Sequence, residues 1–156
     1  MDDLIGKSTA IVRGTVVDSW AALTGSVIYT HYKVQVSESF KGPRQSSVEL
    51  VVAGGVVNNL RQSFSGSPKL NKGDEFVFFL WTSRVGLTQI MGLTQGLFAV
   101  GPGAPADPMA TRAASRELML DPKTARPVKD AMLAMHLSDL RSLIANTLNA
   151  SQGASQ

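Results

Sequence analysis

Two histidines, His31 and His136, are the whole imidazole complement of this chain, and it contains no cysteine. Those counts bound the chemistry. A multi-histidine metal site cannot be assembled, thiolate chemistry and disulfides are excluded, and no cluster of acids offers a carboxylate-only site. Serine catalysis would require His31 or His136 to meet a hydroxyl in space. The segment Ser65-Gly66-Ser67 comes nearest to a nucleophile motif, but it lacks the strand-turn-helix setting of a nucleophile elbow. The glycines at 54–55 and 101–103 precede no Gly-Lys-Ser/Thr and match no dinucleotide fingerprint, so they read as turns. The expectation is a protein without catalytic residues, metal or cofactor, which works by binding.

Residues suited to binding fall in two places. Tyr29, His31, Lys33 and Gln35 recur at a spacing of two, so they share one face of a strand and could take a base or a sugar by stacking and charge. Trp20 stands at a strand end before a loop at 21–26, either as an anchor for a protein partner or as a lid. Residues 54–73 form a stretch of about twenty without period, and a connection that long either covers a core or forms a functional surface. Within it Val56, Asn58 and Phe64 are expected to touch a partner.

The elements that must position these groups are strands. Ala10 to Asp18 is rich in β-branched residues, with Gly14 marking a bend. Ile28, Thr30, Tyr32, Val34 and Val36 alternate with the polar set above, so one face is core and the other wet. Val48 to Val52 is a third strand. Phe76 to Trp81 is apolar on both faces and therefore central or covered on both sides. Leu87 to Met91 and Gly96 to Val100 complete the set, as a hairpin or as one strand bent at Gly92 to Gly96. Gly101 to Pro108 reads as a linker unable to hold a ladder, with a hairpin around Asp121-Pro122 or a helix left open beyond it. Ser138 before Asp139, with Leu140, Leu143, Ile144 and Leu148 at helical spacing, predicts an amphipathic helix over 139–149 and then a frayed tail. Residues 1–100 are thus expected as a barrel, 101–127 as a connection, and 128–156 as helix and tail.

With 156 residues the chain is one domain in size, and 44% apolar against 17% charged residues suits a folded core. Fifteen Lys/Arg against twelve Asp/Glu leave +3, a weak field for phosphate, spread evenly along the chain. No apolar run approaches the ~20 residues of a membrane span. The chain opens at Met1-Asp2-Asp3 close to its first strand, as a sequence does from which an export leader has been trimmed, so export is an expectation and the compartment stays open.

Five or six alternating strands, internal glycines and one terminal helix predict a mainly β fold, a small antiparallel barrel of the OB type with a C-terminal α-helix; an open sandwich is the competitor. The segment Ala10 to Val17, the strand Tyr32 to Ser39 running into Phe40-Lys41-Gly42-Pro43, then Ser47 to Val52, then Lys72-Gly73-Asp74-Glu75-Phe76 to Leu80, resembles the netrin-like domain, whose members include the tissue inhibitors of metalloproteinases. The resemblance spans roughly residues 10 to 100. It implies a five-stranded OB-type barrel in an exported protein that binds partners. Those inhibitors chelate zinc through an amino-terminal cysteine and carry disulfides, neither of which exists here, so their inhibitory mechanism does not transfer. The expected function is a non-enzymatic module that engages a protein or cell-surface partner through loops 20–26 and 54–73. The alternative is a single-stranded nucleic-acid or oligosaccharide binder, with Tyr29, His31, Lys33 and Arg44 at the interface.

Overall fold

A computed structural model describes residues 1–114, 119–120, 123–128 and 131–154. A short helix α1 (Asp2–Lys7) leads into β1 (Ala10–Thr24), β2 (Val27–Lys41) and β3 (Ser47–Ala53). Next come β4 (Gly55–Val57), β5 (Leu60–Gln62), β6 (Glu75–Thr82), β7 (Thr88–Ile90), a 3-10 turn (Leu93–Gly96), β8 (Leu97–Ala104) and β9 (Asp107–Arg112). The chain then forms β10 (Met119–Leu120), β11 (Pro127–Val128), β12 (Leu133–His136) and a terminal helix α2 (Leu137–Gly153).

The protein is mainly β and antiparallel with a C-terminal helix, as the strand periodicity predicts. Eight strands pair in the order β12-β9-β8-β6-β1-β2-β3, with β7 also on β6. The sheet is larger than the expected five or six strands and does not close: β3 and β12 end it, and β3 only lies alongside β7 without laddering to it. β6 sits in the middle. Its partners are β1 on one edge and, in tandem on the other, β7 (Leu80↔Ile90) and β8 (Phe78↔Leu97). The excursion at 91–96 between β7 and β8 is the expected bend, and it needs glycine. A Cβ on Gly96 would meet the Met91 carbonyl oxygen at 2.6 Å.

Each face of the sheet buries a core. Val12, Val16, Tyr32, Val34, Leu50, Val52, Phe78, Leu80 and Ile90 fill the inside of the curl. Ile11, Val77, Phe79, Phe98 and Ala110 point the other way, under Leu137, Leu140 and Ile144 of α2 and Ile5 of α1. The alternation of Phe78 and Phe79 into different cores explains why β6 is apolar on both faces.

Four sequence expectations give way to tertiary structure. The loop expected at 20–26 is mostly strand, since β1 runs to Thr24 and turns into β2 through Gly25-Ser26, with Gly25 at φ 61°. The long loop 54–73 contains the β4–β5 hairpin, whose turn is Asn58-Asn59 at φ 48° and 67°, the left-handed pair that a two-residue hairpin requires. Residues 101–112, expected as a linker, are paired: Gly103↔Pro108 and Ala104↔Asp107 ladder β8 to β9. Pro102 is accommodated because it falls in the register shift between Val100 and Gly103. The terminal helix starts before 139 and runs past 149 to Gly153, and it is capped from outside. Asp107 on β9 accepts from the Ser138 backbone N–H at 2.9 Å and from its hydroxyl at 2.7 Å. The helix α1 carries no periodic signal at six residues and forms because Ile5 is fully buried. β10 pairs with β11 as a small hairpin, while the Asp121-Pro122 turn expected between them lies outside the described residues, as does the end of the tail.

Candidate binding site at the mouth of the curled sheet

The chain leaves β3 through Gly54-Gly55 at φ 111° and 137°, which folds β4 back across the open end of the curl. Contact there is close. A Cβ on Gly55 would lie 2.7 Å from the Thr30 hydroxyl and 3.4 Å from the Ala21 Cβ, so the hairpin meets both β1 and β2. Thr30 donates to the Gly54 carbonyl (2.8 Å), and Gly54 N–H donates to the Ile28 carbonyl (2.8 Å). Gln62 completes the clamp: its Oε1 accepts from Ile28 N–H at 2.7 Å and its Nε2 donates to the Ser26 carbonyl at 2.8 Å. One side chain thereby holds β5 against the tip of the β1–β2 hairpin.

The return segment seals the other side. Leu70 is buried and its N–H points at the Tyr32 hydroxyl at 3.4 Å, while Gly73 N–H donates to the Val16 carbonyl at 2.8 Å. Between the hairpin, this return and the inner face of β2 lies a groove of about 540 Å³. Its floor includes Thr30, Tyr32 and Val52, and its walls include Val56, Phe64, Arg61, Lys69 and Lys72. No carboxylate lines it. Among the described residues none of the three cations has an ion-pair partner, in contrast to Arg13, which binds Glu75 at 3.3 Å, and Arg141, which binds Glu38 at 2.7 Å. A second hollow of about 560 Å³ lies between the end of β2 and residues 44–46, and its lining includes three serines, the already paired Glu38 and Arg44.

Of the residues expected to touch a partner, Val56 and Phe64 line the groove, while Asn58 does not line it and instead makes the hairpin turn. Trp20 is neither lid nor part of the mouth. It pairs with His31 across β1 and β2 on the outer face, 41% exposed, and stacks on the imidazole with ring centres 5.4 Å apart and planes within 8°. His31 Nδ1 lies 2.8 Å from Glu49 Oε1, and its Nε2 is buried without a hydrogen-bond partner among the described residues. Tyr29 shares that face beside Ala22 and Ala53, and Lys33 sits between Asp18 and Glu49 in register. Of the seven expected residues, Trp20, Tyr29, His31 and Lys33 thus share the outer face, Val56 and Phe64 line the mouth, and Asn58 is at the hairpin turn.

Neither imidazole meets Ser67: His31 is engaged on the outer face, His136 starts α2 with Nδ1 3.7 Å from Asp107 Oδ2, and Ser67 lines the groove. No group of three or more His, Asp or Glu gathers among the described residues. Sequence reasoning passed over Arg61, Lys69 and Lys72. Their signal was present, because they are the sole charged residues between 54 and 73 and all carry the same sign. No protein-family model, curated protein or solved structure matches the chain.

Proposed function

We propose that this chain is a non-enzymatic, exported binding module of netrin-like type, which engages a protein or cell-surface partner at the mouth of its curled sheet. The observation that carries the reading is convergence. The 54–73 segment lines most of a groove whose size is that of a ligand site, and Gln62 hydrogen-bonds it to the β1–β2 tip, far from it in sequence. Leu23, Val56, Leu60 and Phe64 stand exposed on these segments, and apolar groups left in water on paired strands and their flanks suit a contact surface. The alternative, a nucleic-acid or oligosaccharide platform on the outer face of β2, has less support. Trp20 occupies a face of the His31 ring, and Asp18 and Glu49 flank Lys33, so His31 is already stacked and the positive charge of Lys33 is offset.

Site-specific photo-crosslinking in the producing cell tests the reading. A photoreactive residue at Val56 or Phe64 should trap a discrete partner, whereas one at Val85, which is 83% exposed at the opposite end in the β6–β7 turn, should not. Crosslinking from Val85 alone, or from all three positions equally, overturns it.

A further inference from the structure

The mouth groove has a specific electrostatic character, and we infer that its ligand is an acidic, extended peptide segment of the partner. This inference rests on the proposed binding role and names the ligand class. Arg61 leaves β5 and Lys69 and Lys72 lie on the return segment, so positive charge stands on two walls of one groove with no acid in its lining. Three like charges in one cavity repel one another, and among the described residues no carboxylate forms an ion pair with them. A ligand that brings carboxylates would relieve that repulsion and would gain charge-assisted hydrogen bonds, bidentate at Arg61.

The apolar groups decide between anionic ligands. A single-stranded nucleic acid requires successive stacking platforms along a basic track. Here Phe64 is the exposed aromatic of the groove, since Tyr32 on the floor is only 5% exposed and the Trp20–His31 pair lies on another face. A peptide carries carboxylates and apolar side chains on one chain. Its acids would reach Arg61, Lys69 and Lys72, and apolar residues beside them would reach Val56, which stands opposite Arg61 on the hairpin, and Phe64. The floor supplies a hydroxyl at Thr30, and the Ser63 and Ser67 side chains add further polar contacts around the groove.

Selection from two displayed octapeptide pools tests this, one with Asp or Glu fixed at alternate positions and one with Asn or Gln in their place, against the full chain. The acidic pool should enrich, and its best binders should lose affinity on replacement of their acids by the matching amides. Each of Arg61→Gln, Lys69→Gln and Lys72→Gln should weaken these peptides by about 2- to 5-fold, as measured for exposed charge pairs, and the triple variant by about tenfold or more. Because these side chains make no ion pair among the described residues, the variants should keep the wild-type melting temperature, which shows that they remain folded. Enrichment of the amide pool alone or of neither pool, unchanged affinity in the triple variant, or tighter binding of a thymidine octanucleotide than of the best acidic peptide overturns the inference. The two readings fail separately. If the triple variant still crosslinks its cellular partner through Val56 and Phe64, the acidic ligand is wrong and the mouth remains the binding surface.

Discussion

At the scale of single residues, the curl and its mouth depend on a few positions where no other side chain fits or serves. Gly14 lies where β1 crosses β2 at a register shift, and a Cβ there would stand 2.5 Å from Val34 Cγ1 and 2.6 Å from the Gln35 carbonyl oxygen. Gly14→Ala should therefore destabilise the fold by about 1–3 kcal/mol, read from urea unfolding, because its neighbours include backbone that cannot step aside. Unchanged stability would show that the strands are free to separate there. Gln62 is the second such residue. Gln62→Leu would strand the Ile28 N–H and the Ser26 carbonyl at the rim, and a loss of about 1–2 kcal/mol is expected with faster amide exchange at Ile28. Amide protection at Ile28 equal to wild type would mean the clamp is unimportant. The outward direction of His31 and Lys33 was legible from their spacing. Their partners were not, because Trp20 and Glu49 reach them from other strands.

At the scale of elements, α2 illustrates how a local pattern acquires its boundaries from outside. The stripe Leu140, Ile144 was readable and both residues are now in the core. Leu140→Ala should reduce stability by about 2–5 kcal/mol in urea unfolding, since it empties a fully buried site between α2 and the sheet. At the start of α2 Ser138 is the donor and Asp107, on another element, the acceptor. The two hydrogen bonds from Ser138 hold the Asp107 carboxyl below the ordinary carboxylate range, with His136 and Arg141 assisting. A depressed folded value means that the carboxylate stabilises the fold at and above the usual carboxylate pKa, and that this contribution disappears as pH falls through the lower folded value. Asp107→Ala should accordingly lower the melting temperature from neutrality down to mild acid, and the difference from wild type should vanish in strong acid. A difference independent of pH would assign the effect to packing.

At the scale of the whole molecule, the two cores share β6, so neither can be lost without the other. Phe78→Ala and Phe79→Ala open different cores, yet each should lower the same single transition by about 3–5 kcal/mol, with near-ultraviolet and far-ultraviolet probes coinciding. Separate transitions would show that the helical face and the curl fold independently.

Strand type, the buried side of β2, the double burial of β6 and the amphipathic stripe of α2 were all present in the order of residues. Each follows from a period of two or of about four, which neighbouring residues impose on one another. The eight-stranded size of the sheet, its failure to close and the pairing of residues 101–112 were not present there, because strand partners are chosen by packing between distant segments. The groove belongs to the same class. Its rim depends on Gln62 meeting Ile28 across 34 positions, and the cap of α2 on Asp107 meeting Ser138 across 31. Local chemistry chose which residues are strand, helix and cation. Contacts across the folded chain decided that Arg61, Lys69 and Lys72 face one cavity, because only closure of the hairpin over the curl brings them to a common space.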